Sequence, residues 1–364
     1  MHRLLFGLLV GSSPLFAQAE VVHVYNWNDY IAPQVLEDFE RLTGVHVDYH
    51  TYDSTEELER LLESGEPIDV AVPSHDSLPG LIGAGRLQRL DEALLPNAVH
   101  LDRTLQQKLA AYDPGNRYAV PYLWGAVGLA INTPKAEQAF GGPLPNSWSL
   151  LFDPEQSSRL SACGMSVLDA PEETLSVLMS YRGRTLSRSG AHQMGRAAEM
   201  LGLLRPNLRY VESERYVEDL KSGDLCVAMV WGVGDALAAA DAGQPVVFMI
   251  PEEGSFSFID SMVIPAGGRS ALAHQFINYI LEPKVAALIT TETFYPNGNA
   301  SSREFIDEAL RAQPGLYPDR STRRRLSMLD PLPEKVAGYR DKVWEHFRDG
   351  LPPIGPHELE HFQD

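Results

Sequence analysis

The chain has little cysteine, little basic charge and, beyond its first residues, no long apolar run. Cys163 and Cys226 are its only cysteines. In an oxidising compartment an even pair is most simply one disulfide, the alternative being two buried free thiols. On the chain-entropy model such a bridge stabilises by about 4 kcal/mol, less any strain. Lys and Arg number 30 against 49 Asp and Glu, a net charge of −19. That balance argues against nucleic acid as a partner and welcomes cations. No stretch after residue 20 has the roughly 20 apolar residues needed to span a bilayer, and no internal repeat or low-complexity tract is visible.

What is present begins with an export signal: Arg3, the apolar run Leu4 to Val10, and Ala17-Gln18-Ala19 as a small-x-small cleavage site. Cleavage is expected after Ala19. A membrane anchor is disfavoured because Gly11, Ser12, Ser13 and Pro14 interrupt the run, and a lipid anchor because no Cys follows the cleavage site. A soluble, exported chain is expected. At 364 residues and 44% hydrophobic composition it can form two lobes with real cores.

The informative stretch is Val21 to Tyr30, VVHVYNWNDY. A β-branched run reads as a strand and opens into an aromatic, amide and acid cluster. In an open α/β sheet ligands bind beyond strand ends, and a Trp beside an Asp suits a cation with an apolar body. Helical periodicity over 33–43, a strand over 45–52, a capping box of Ser54 with Glu57, and a buried strand over 68–72 make a βαβαβ series and hence a parallel sheet. The loops 27–30 and 73–77 then share one sheet edge. A strand over 126–131 and a Pro/Gly-rich crossover over 132–145 lead to a second α/β series. It has strands over 165–168, 225–231 and 246–250 and helices over 171–181 and 191–204. Pro251 to Gly254 reads as a return turn, followed by a strand over 256–264 and helices over 271–281 and 284–293.

Asp29, Glu173, Asp235 and Asp260 each lie beside an aromatic residue or just past a strand. Singly, they also fit ordinary roles: a turn, a helix-dipole complement, a helix cap and a surface acid. Five motifs in order then carry a resemblance: YNWNDY (25–30), VPS (72–74), LDAPEE (168–173), GDLCVA (223–228) and FYPNGN (294–299). With them the chain resembles the polyamine-binding periplasmic proteins of ABC importers, most closely the putrescine-binding branch.

The resemblance implies an α/β, two-lobed periplasmic binding protein fold of type II, with a ligand cleft between lobes joined by a hinge. It implies a lobe over 20–131, a second over 132–250, a return to the first over 251–300, and C-terminal helices on the second lobe with a tail over 301–364. Trp27, Asn28, Asp29, Tyr30, Ser74 and Asp76 would contact ligand from the first lobe, and Glu173, Ser213, Trp231 and Asp235 from the second. Phe258, Asp260 and Tyr295 would complete the wall, and the family's disulfide falls on Cys163 and Cys226. The implied protein is a periplasmic monomer that passes a polyamine to a membrane ABC permease, with no cofactor, metal or catalysis. A diamine fits this set: each ammonium needs acids or carbonyls once desolvated, and the methylenes need apolar walls. Asn28, Asp76 and an extra residue before Asp235 depart from the family pattern, leaving spermidine, agmatine and other cationic amines open beside putrescine.

Two enzymatic readings compete. His357-Glu358-Leu359-Glu360-His361 matches the H-E-x-x-H zinc pattern, but little chain remains there to build a third ligand or a substrate cleft, so a solvated tail is expected. Asp29, Glu173 and Asp260 with tryptophans suggest a glycosidase cleft. A sugar site would use more Asn, Gln and Arg, so that reading ranks below a binder.

Overall fold

The computed structural model describes residues 20–361; the expected leader, Met1 to Ala19, lies outside them. The chain opens with strands β1 (Val21–Trp27), β2 (His46–Tyr52), β3 (Val70–Ala71) and β4 (Ala119–Ala126). Next come β5 (Gly128–Asn132), β6 (Met165–Val167), β7 (Tyr210–Val211), β8 (Val227–Val230) and β9 (Val246–Met249), then β10 (Ser255–Val263) and β11 (Leu326–Ser327). They form two sheets, ordered β11-β10-β3-β1-β2 with β4 also on β10, and β7-β6-β8-β5-β9. Each sheet has its own buried cores, so the α/β, two-lobed architecture expected from the sequence is present.

Local chemistry explains the first lobe. Helix Pro33–Thr43 starts with Pro in its first turn, buries Val35 and Phe39, and ends on Gly44 at φ 73, a left-handed geometry that favours glycine. Ser54 Oγ accepts from the Glu57 N–H at 3.1 Å, as a cap should. The Glu57 carboxylate, expected to close a capping box on Ser54, instead accepts from the Asp53 N–H at 3.1 Å. β1 pairs parallel with β2 and β3, which brings the loops after β1 and β3 to the same edge.

Two boundaries differ from expectation. The strand expected over 126–131 is two strands broken at Val127: β4 pairs with β10 in the first sheet, and β5 with β8 and β9 in the second. The crossover is therefore at Val127. The segment 132–145, expected to be the connector, instead holds helix Thr133–Phe140 of the second lobe, capped by Asn132 with Pro134 in its first turn. The return runs through Ile250 to Gly254, beside the first crossing, where Ala126, Ile250 and Leu326 form a small hinge cluster. Residues 301–364 were expected on the second lobe, yet β11 pairs with β10 in the first sheet. Helix Glu334–Arg348 and the residues after it pack on the second lobe, as does Leu332 just before them. Among the described residues the chain thus crosses between lobes three times.

Cys163 and Cys226 are bonded, with Cα atoms 5.5 Å apart, which removes the free-thiol alternative. Among the described residues no helix is long and apolar enough to cross a membrane.

Candidate functional site

Most of the acids and aromatics singled out in the sequence lie where the two lobes meet. Trp27 ends β1, and its indole N–H donates to the Val72 carbonyl at 2.8 Å, tying the first loop to the end of β3. Tyr52 packs edge-on against it at 4.7 Å. Tyr30 is buried, and its hydroxyl donates to Asp260 Oδ2 at 2.7 Å. Its own carbonyl accepts from the Tyr122 hydroxyl at 2.5 Å. Ser74 forms a lone β-bridge with Asp260, and its hydroxyl favours the charged carboxylate. Phe258 faces Gly125 across the β4/β10 ladder; a Cβ on Gly125 would stand 2.5 Å from the ring, so glycine there lets the ring lie over the strand.

From the second lobe, Glu173 stands in the first turn of helix Pro171–Tyr181. Trp231 follows β8 and meets Phe258 edge-on at 6.4 Å. Asp235, in the first turn of helix Val233–Asp241, accepts from the Tyr216 hydroxyl at 2.6 Å and the Tyr295 hydroxyl at 3.1 Å. Tyr295 belongs to the first lobe's core, so that last bond crosses the cleft.

Electrostatics mark the centre of this arrangement. Burial, together with repulsion from Asp76, raises the Asp260 carboxyl to about 7 against the opposing bonds from Tyr30 and Ser74. Burial and then Asp76 likewise raise Glu173 to about 7. Asp76 itself is exposed and lies close enough to act on acids of both lobes. Burial also raises Asp235 against its tyrosine bonds. Acids so placed favour a proton or another cation, and an ammonium would satisfy them.

Not every residue joins this centre. Asp29 is exposed at φ 51, and Asn28 donates to Asp53. The fields of Asp29 and Asp53 reach Glu214 of the second lobe instead. Ser213 lies beside Glu214, and its buried Oγ has no hydrogen-bond partner among the described residues. Four residues at the site were not singled out from the sequence. Tyr216 and Tyr122 orient Asp235 and Tyr30. Arg340 pairs with Glu172 at 2.7 Å next to Glu173. His75, whose imidazole burial holds down to about 4, packs between Tyr112 and the loop carrying Ser74. His75 was within reach of sequence reasoning, lying between two residues already chosen; the others carry no local signal. The H-E-x-x-H segment forms short helix Pro356–His361, whose Leu359 is buried in the second lobe's core. Among the described residues, no group of three or more His, Cys, Asp or Glu is placed to hold a metal.

A model of the family described as bacterial extracellular solute-binding protein matches residues 66–315. The chain belongs to that family. As a bacterial extracellular solute-binding protein it is 37% identical to the putrescine-binding periplasmic protein PotF of Escherichia coli, over 94% of this chain and 95% of that one. It is 38% identical to the putrescine-binding periplasmic protein SpuD of Pseudomonas aeruginosa, over 94% and 96%. A putative spermidine/putrescine ABC transporter from Listeria monocytogenes superposes with a TM-score of 0.79 at 27% identity, covering 91% of this solute-binding protein and 99% of that chain. The type II fold expected from the resemblance is therefore that of its structural relatives.

Proposed function

We propose that this solute-binding protein captures a polyamine, putrescine first, in the cleft between its lobes and delivers it to a membrane ABC permease. It acts in the periplasm as a monomer after cleavage at Ala19. The observation that carries the reading is the pair of buried or half-buried carboxyls, Asp260 and Glu173, both raised to about 7, with Tyr30 on Asp260 and the rings of Tyr295, Phe258 and Trp231 in successive contact beyond it. An ammonium desolvated without a partner costs several kcal/mol, so the acids decide whether an amine binds. Each cation over an aromatic face adds about 0.5 to 2 kcal/mol, so the rings tune affinity and length selectivity. Asp260, Glu173 and Asp76 receive the ammonium groups; Trp27, Asn28, Asp29 and Ser213 line the rim. The names of the related proteins, which bind putrescine, support the choice of ligand. One lobe takes the ligand first, and bending at the three crossings, Val127, 250–254 and 328–333, buries it against the other, giving open and closed states that a permease can distinguish.

The test is calorimetric titration of protein unfolded and refolded to strip carried ligand, with putrescine, cadaverine, agmatine, spermidine and spermine. Tight binding of one supports the reading, and its length preference reports what Asp76 does to the site. No binding to any of the five refutes it.

A further inference from the structure

The cleft contains a contact that serves no lobe's own packing. Tyr295 projects from the first lobe, where its ring packs edge-on to Tyr30 at 5.3 Å and lies near Phe258 at 6.4 Å. Its two ring edges enter a notch made by two glycines of the second lobe. A Cβ built on Gly232 would stand 2.8 Å from Cε1. One on Gly234 would stand 2.7 Å from Cε2, 2.9 Å from Cδ2 and 3.0 Å from the Thr293 carbonyl oxygen. Neither glycine is required by its backbone: Gly232 is extended at φ −173, and Gly234 lies in a helical first turn, where alanine is the better residue. The requirement comes from the opposite lobe.

Beneath the notch, both oxygens of Asp235 are held by tyrosines, one from each lobe. A carboxylate offers about four acceptor sites. This one takes the hydroxyls of Tyr216 and Tyr295, one on each oxygen, and the backbone of Gly232 and Trp231 favours its charge further. Its two shown partners are protein hydroxyls that fix its place between the lobes. The same wedge reaches the ligand acids through one ring: Tyr295 packs on Tyr30, and Tyr30 donates to Asp260.

We propose that Gly232 and Gly234 form a seat for the Tyr295 ring and that Asp235 is a positioning residue. Together they lock the closed cleft and set how near the second lobe's Glu173 and Trp231 come to a ligand on Asp260. This rests on the polyamine reading for its ligand but not for its geometry. An amine paired with Asp260 steadies Tyr30, Tyr30 steadies Tyr295, and a steadied Tyr295 is the key that fits the seat.

The test uses the full mature chain and Gly234→Ala, Gly232→Ala and Tyr295→Phe, titrated with putrescine and spermidine. Radii of gyration are measured by small-angle scattering with and without ligand. For each added methyl the nearest atoms belong to the first lobe, so the ligand-free melting temperature is expected unchanged or, for Gly234→Ala, slightly raised. Affinity is expected to fall at least about tenfold and ligand-induced compaction to be lost. Tyr295→Phe keeps the wedge and loses the hydroxyl, so it should compact with a smaller loss of affinity. A Gly234→Ala protein that binds and compacts as the parent does overturns the proposal. If the parent binds neither amine, the polyamine reading fails separately. The seat is then judged with the cationic amine or amino acid that does compact the parent, and a Gly234→Ala protein that compacts with it to the same radius overturns the proposal.

Discussion

Acids raised to about 7 make binding a proton-linked event, and the linkage can be worked through. In the ligand-free protein Asp260 and Glu173 both titrate near 7, chiefly through burial and next through Asp76. An ammonium pairs with the carboxylate form. Lowering the pH below 7 therefore makes the amine compete with a proton at each acid. For one such group the apparent affinity falls about tenfold between pH 8 and pH 6, and for two acting independently about 100-fold. Because both acids feel Asp76, the measured midpoints belong to the set rather than to either residue. Near pH 7 each acid is about half protonated, so binding one diamine should release about one proton in total. Calorimetry in phosphate and in Tris, whose ionisation enthalpies differ, gives that number from the slope of heat against buffer enthalpy. The sign for stability follows from the same shifts. Between the ordinary values of 4.5 and 3.8 and about 7, the folded protein holds protons that the unfolded chain has released. Ligand-free stability should therefore fall as pH rises through that window, and saturating amine should remove the fall. Affinity flat from pH 6 to pH 8 with no proton released would refute the reasoning.

Other outcomes are equally checkable. Asp260→Asn keeps the shape and removes a charge-assisted contact of about 1.5 to 3 kcal/mol, so putrescine affinity should drop tenfold or more; unchanged affinity takes Asp260 out of the site. Arg340→Gln removes the cation that holds Glu173 and Glu172 down; the pH midpoint of binding should move up, while a fixed midpoint would make Arg340 merely structural. Replacing Cys163 and Cys226 together by Ser should lower stability by about 2 to 5 kcal/mol in urea titration, with the second lobe losing protection from hydrogen exchange first.

Much of this was legible because short signals agreed with one another. Helices Pro33–Thr43, Pro171–Tyr181 and Ala191–Leu204 match their sequence limits: two open on Pro, and all carry apolar residues at helical spacing. β4 was not legible, for a definite reason. All eight residues of AVPYLWGA are buried, so no alternation shows, and Pro121 reads as a strand breaker. The structure accommodates Pro121 opposite Ser261, where the ladder with β10 slips register. Helix Thr133–Phe140 was hidden by Pro134 and by Gly141, Gly142 and Pro143, which look like loop until the proline is placed in the first turn. In the site, the acids were visible as types next to aromatics. Their mutual effects were not: Asp76 acts on Glu173 only because two lobes meet. Likewise the second glycine of Trp231-Gly232-Val233-Gly234-Asp235 looked like a spacing change, and its reason lies in a tyrosine from the other lobe.

The third crossing has a consequence for how the molecule is made. The first sheet needs β10 and β11, and the second lobe's surface is covered by helix Glu334–Arg348, held through Trp344 to Asp169 at 2.6 Å and Arg340 to Glu172. Neither lobe has all its parts until nearly the whole chain has left the ribosome. Such long-range closure slows folding, so the growing polypeptide remains threadable for most of its synthesis. For the periplasmic role proposed above, which requires crossing a membrane, that delay is an advantage.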